Sequence, residues 1–129
     1  DLHSFPTRRS SDLLSMAGRV FTDLVRMGRV RASLPQLRAD VRTVVAPVDD
    51  EGVLVTFRDH PRGSFVGVYN VTPEWRSVPA WRLAEYGVLG AVDVLTDTVP
   101  AGSTTLEGAG DGQVPVPPYA AWWLVRSTD

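Results

Sequence analysis

A mainly β fold, an antiparallel two-sheet β-sandwich preceded by one amphipathic α-helix, is what this sequence predicts, and three observations carry it. Near its end the chain holds seven apolar residues in a row, Tyr119-Ala120-Ala121-Trp122-Trp123-Leu124-Val125. Alternate members face opposite ways, so both faces of that strand call for a cover. Between Asp40 and that run, short stretches of strand-type residues recur at intervals closed by proline, glycine and acidic turn signals. Before Pro35 the periodicity is helical, and it does not return at that length.

Taken in order, residues 1–13 show neither period and carry Ser, Arg and Pro in the manner of a disordered arm. The string resembles the translation of a sequencing-adapter oligonucleotide, and it is set aside from fold reasoning. A genuine flexible tail is the alternative. From about Ser15, Val20, Leu24 and Met27 recur at helical spacing with Phe21, Val25 and Gly28 beside them, while Arg19, Arg26, Arg29 and Arg31 fall mostly elsewhere. The arginines read as a solvated face rather than an anion site. Pro35 disfavours helix at Leu34, so the helix stops near Ser33, with room for one more turn through Arg38.

Val41 to Ala46 is the first expected strand, ended by Pro47 and the turn Asp49-Asp50-Glu51-Gly52. Val53 to Arg58 and Phe65 to Val71 alternate and complete a meander, broken between them at His60-Pro61-Arg62-Gly63. Trp75 to Val78 makes a brief strand, and Pro79 to Tyr86 a short helix closed by Gly87. Ala91 to Thr96 and Thr104 to Leu106 are further strands. Val114-Pro115-Val116-Pro117-Pro118 leads into the closing strand, with Tyr119 as its first fully pairing residue. Trp122, Trp123, Phe57, Phe65 and Tyr69 are the expected large core residues.

With 129 residues the chain can bury a core without metal or disulfide, and it has no cysteine for either a disulfide or a thiolate zinc site. Thirteen basic against fifteen acidic side chains, with the arginines dispersed, give no electrostatic case for nucleic acid. No apolar run is long enough to span a bilayer, and no secretory leader opens the chain. A soluble, cytoplasmic protein is the expectation.

Candidate chemistry is sparse. Asp49-Asp50-Glu51 are consecutive in a turn, which supplies neither the opposition nor the desolvation that acid/base work on a glycosidic bond requires. His60, at a hairpin tip, does not define a metal site. Ser64, Ser77 and Ser103 lack a nucleophile-elbow context. Asn70-Val71-Thr72 matches a glycosylation pattern at a strand end, and Gly108 to Gly112 precedes a strand rather than a helix, so it is no phosphate cradle. Neither a cofactor nor a catalytic residue is expected. Trp75 and Trp81 flank a proline-bounded loop and, with Tyr86, are candidate sugar contacts, with packing as the competing role.

The order of features resembles a known family. Arg19-Val20-Phe21-Thr22-Asp23-Leu24 followed by Arg31-Ala32-Ser33-Leu34-Pro35-Gln36-Leu37 is similar to the last barrel helix of glycoside hydrolase family 13, the α-amylase family. Phe65 to Thr72, Val92 to Asp97 and Val116 to Leu124 resemble three strands of that family's C-terminal β-domain, with Asp97 where the family often has glycine. The helix and the Leu83-to-Gly87 insertion look most like bacterial amylosucrases, which transfer glucose from sucrose to an α-glucan. Trehalose synthases and α-glucosidases are the nearest competitors. The resemblance implies residues 14–40 as the last helix of a truncated (β/α)8 barrel and 41–129 as the C-terminal β-sandwich domain. It implies a catalytic barrel of the same parent chain as partner, with sucrose or α-glucan as ligand. It also implies that the catalytic carboxylates lie upstream of this segment.

If the closing strand is central, Trp123→Ala lowers stability by about 3–5 kcal/mol. An unmoved melting temperature would show that it is not.

Overall fold

A computed structural model describes residue 18 and residues 21–126. The expected arm at 1–13, the helix start near Ser15 and Val20 lie outside the described residues. The chain divides into two compact units, 1–33 and 34–129.

In the first unit residues 21–33 form helix α1, whose end coincides with the proline signal. Leu34 takes an extended conformation (φ −99°, ψ 114°), as the ring of a following proline requires, and Pro35–Leu37 make one 3-10 turn. Phe21, Leu24 and Val25 of α1 are exposed, and Met27 is half-buried.

In the second unit the strands are β1 (Val44–Ala46), β2 (Val53–Arg58), β3 (Phe65–Asn70), β4 (Arg76–Pro79), β5 (Val92–Asp93), β6 (Gln113–Val116) and β7 (Ala121–Val125), with helix α2 (Ala80–Glu85) after β4. They form a five-stranded antiparallel sheet in the order β1-β2-β3-β7-β5 and a two-stranded sheet β4-β6. Cross-strand partners share a face, so the registers Ala46↔Val55↔Val68↔Trp122 and Phe57↔Val66↔Leu124 define one face of the large sheet. This inner face packs on Val78, Val114 and Val116 of the small sheet and on Ala80 and Leu83 of α2. Phe57 and Tyr86 close its margin as stacked rings 4.3 Å apart. Phe65, Trp122 and Trp123 are buried as expected, whereas Phe57 and Tyr69 are half-buried.

Asn70, at the end of β3, joins the two sheets. Its Nδ2 donates to the carbonyls of Glu74, Val116 and Pro117 (2.8, 3.1 and 3.0 Å), and its Oδ1 accepts from the amide and hydroxyl of Thr72. A buried amide is stable there because its donors and its acceptor are all engaged. Asp93 acts similarly at the other edge. Its carboxylate accepts from the amides of Leu95 and Trp123 (3.1 and 2.9 Å) and from the Thr96 hydroxyl, which turns the chain out of β5 at once.

Several expected boundaries change for these reasons. The Ala91-to-Thr96 strand keeps two residues, because the Asp93 carbonyl takes the Thr96 and Asp97 amides. Thr104 to Leu106 is not a strand. The Thr105 and Glu107 carbonyls serve amides at Gly108, Gly110 and Gly112, so the backbone closes on itself. The first strand shrinks to β1. Val114 to Val116 belong to β6, where Pro115 is tolerated because beyond the Gln113 bridge to Gly108 β6 pairs with β4 alone. The closing strand begins at Ala121 rather than Tyr119. Tyr119 is left-handed (φ 56°) and exposed, with its amide on the Thr72 carbonyl.

Asp97 is also left-handed, at φ 59°, which explains why glycine suits this turn. Asp97→Gly relieves a steric cost of about 1–2 kcal/mol, against an entropic cost of about 0.5–1 kcal/mol. Its urea midpoint is expected to rise by the equivalent of about 0.5 kcal/mol with an unchanged slope; a fall in the midpoint would refute the strain.

Candidate functional site

With the inner face consumed by the core, the other face of the five-stranded sheet is left to explain. Its rows are Val45↔Thr56↔Gly67↔Trp123, Leu54↔Tyr69↔Ala121 and Arg58↔Phe65↔Val125↔Val92. A β-domain with one solvated face would place polar side chains here. Instead, apart from Thr56 and Arg58, the face is aromatic and aliphatic. Phe65 is 2% exposed and Trp123 7% exposed, and their rings meet edge to face at 5.9 Å. Neither belongs to the inner cluster, nor does the buried Leu37. Toward β1 the same face opens, with Leu54 43% and Val45 63% exposed.

Gly67 shapes the middle of this face. A Cβ there would lie 2.6 Å from the Tyr69 hydroxyl and 2.7 Å from the Thr56 hydroxyl. The Tyr69 side chain therefore lies across Gly67, and its hydroxyl accepts the Trp123 indole N–H at 3.0 Å. At the far end, the segment after the 3-10 turn is tied down through Arg58, whose Nη1 donates to the carbonyls of Gln36, Arg38 and Val41. The buried Gln36 amide donates to the Gly63 carbonyl at 2.8 Å, while its Oε1 is buried without a partner. The result is a largely apolar face, buried around Phe65 and Trp123 and open toward Leu54 and Val45.

The three candidate sugar contacts are not brought together as one site. Trp75 precedes β4 and is 64% exposed. Trp81 lies on α2, 54% exposed, with the Arg82 guanidinium carbon 4.4 Å from its ring centroid. Tyr86 is half-buried and has one ring face against Phe57.

The remaining motifs are structural. Asp50 accepts the Gly52 amide at 2.9 Å and pairs with Arg76 at 3.4 Å, and with Asp49 and Glu51 these residues line an open cleft of about 520 Å³. The three carboxylates are neighbours on one turn rather than opposed. His60 Nδ1 accepts the Arg62 amide within its own turn. Asn70 is buried with its amide fully engaged, so it is no glycan acceptor. Glu107 is held below the usual carboxylate range by its backbone hydrogen bond and the Thr105 hydroxyl, the wrong direction for a general acid. Among the described residues no group of three or more metal-ligating side chains converges, and no helix is long and apolar enough to cross a membrane.

The family model for the amylosucrase C-terminal domain matches residues 42–125, which include every strand of the second unit. The chain belongs to the amylosucrase C-terminal domain family. No curated protein matches it. The family match accounts for the β-domain as a unit and agrees with the order of strand motifs from Phe65 to Leu124. Strand alternation sets Leu54, Tyr69 and Trp123 each on one side of its own strand, without relating the strands. Their role as a second apolar face follows only once the registers are known.

Gly67→Val drives a branched side chain into the space occupied by Tyr69. The expected cost is about 1–3 kcal/mol, with loss of the Trp123–Tyr69 hydrogen bond and a changed tryptophan emission maximum. An unaltered spectrum and denaturation midpoint would contradict this account of the glycine.

Proposed function

We propose that this chain is a non-catalytic accessory β-domain of an amylosucrase-like glucosyltransferase, an enzyme that moves glucose from sucrose to an α-glucan, and that it works by bracing a catalytic domain. The observation that carries this reading is the second apolar face. The inner core accounts for one side of β2, β3 and β7, yet Leu54, Tyr69, Phe65 and Trp123 make the other side apolar as well. Leaving such a face in water is unfavourable, which favours a covering partner. The tilt of the face from covered to open runs toward Val45 and Leu54, which are the residues a docked domain would bury.

Burying Leu54 fully would contribute roughly 1.5–3 kcal/mol. The aromatic pair beside it supplies a stiff base, so little conformational entropy is lost on docking. The carboxylates described above turn chains or pair with arginine, and the reading places the chemistry in the partner domain. The resemblance to the α-amylase family supports the same division of labour.

The purified chain is expected to release no fructose or glucose from sucrose, and no sugar from starch, under assay by coupled enzymes. Turnover of either would overturn the accessory reading. The chain should also enhance the fluorescence of an apolar dye, and Leu54→Asp should reduce that enhancement while leaving the melting temperature nearly unchanged. An unaffected dye signal would remove the open face from the argument.

A further inference from the structure

We propose a second working surface, the outward side of α2, as a carbohydrate platform on which Trp81 stacks against the C–H face of a glucopyranose ring. Positions 81 and 85 are one helical turn apart and share a face. Ala80 and Leu83 are fully buried in the inner cluster, so Trp81 and Glu85 face away from it. Arg82 links the pair. Its guanidinium covers the Trp81 ring, its Nη1 reaches Glu85 Oε2 at 2.7 Å, and its Nη2 donates to the Pro47 carbonyl at 2.7 Å. The indole is thus held by a cation that is itself anchored at two points.

That arrangement suits a sugar in three ways. A held ring loses less side-chain entropy on binding than a free one. A single flat apolar face of indole size matches one pyranose ring, which is apolar on its C–H face and polar around its rim. Glu85, half-exposed beside the ring, has carboxylate lone pairs to accept hydroxyl hydrogens. Trp75 is more exposed, but none of the ring or cation stacking contacts among the described residues involves it. Exposure alone therefore does not single out Trp81; its support does.

The platform is compatible with docking. α2 packs with the small sheet on the inner face, whereas Leu54, Tyr69 and Trp123 lie on the opposite side of the large sheet. A covering domain on the outer face leaves Trp81 in water, where the platform would hold an α-glucan close to the enzyme that extends it.

The test is a titration of the ¹⁵N-labelled chain with maltoheptaose, read at the indole N–H cross-peaks. Trp81 should shift saturably in the millimolar range. Trp81→Ala should abolish the binding, Trp81→Phe should retain a weaker form of it, and Trp75→Ala should leave it unchanged. Cellohexaose run in parallel separates sources: a shift with both assigns the platform to glucopyranose in general, and a shift with maltoheptaose alone assigns it to the α-linked polymer. Absence of a saturable shift, or a shift that survives Trp81→Ala, overturns the proposal. The sucrose and dye measurements report on the accessory reading separately, so either idea can fail without the other.

Discussion

The structure depends on one constraint: β7 must be covered on both faces and paired on both edges. It lies between β3 and β5, its Trp122 and Leu124 point into the inner core, and its Trp123 points the other way. Two adjacent indoles on opposite faces leave no solvated side for this strand. The two-stranded sheet and α2 supply one cover. The outer face needs another, which the Phe65 ring and the Tyr69 side chain begin and Leu54 leaves unfinished. The inner core and the outer apolar face are therefore two sides of a single five-residue element.

Holding that element in place falls to two buried polar residues. Asn70 fastens the end of β3 to the chain entering β7, and Asp93 fastens β5 to the Trp123 amide. Each satisfies backbone groups that the sheet cannot, which is why a polar side chain is stable where hydrophobic neighbours surround it. Neither is available for catalysis on that account. A buried carboxylate engaged by two amides and a hydroxyl is structural material, and the Asp49-Asp50-Glu51 carboxylates lie together on one turn.

Much of this was legible in the residues. The end of α1 follows from Pro35, and β2 begins and ends where the acidic turn and the His60-Pro61 turn require. Strong alternation located β3 as well. What stayed hidden was decided by partners remote in sequence. Nothing around Tyr119 announces a left-handed backbone, which becomes tolerable when its amide meets the Thr72 carbonyl. Thr104 to Leu106 has strand-like residues, yet the glycines that follow draw the Thr105 and Glu107 carbonyls into local turns. For the site, Trp75, Trp81 and Tyr86 were visible as aromatic residues but not as one packed, one held and one free ring. The outer face was least visible, because alternation separates two sides of a strand without saying which will find a cover.

The long connection between β3 and β7 bears on how the sheet assembles. β1, β2 and β3 are neighbours through short turns, while Tyr69 and Trp123, bonded across the next pair, are 54 positions apart. Closing that loop costs roughly 2 kcal/mol more chain entropy than closing the six-residue hairpin loop before it. Such non-local pairing belongs to the slow end of folding rates. Until β7 arrives, the meander presents a bare edge of Val66 and Val68 to any other chain nearby, so crowding during synthesis is the condition under which this domain is most exposed to mispairing.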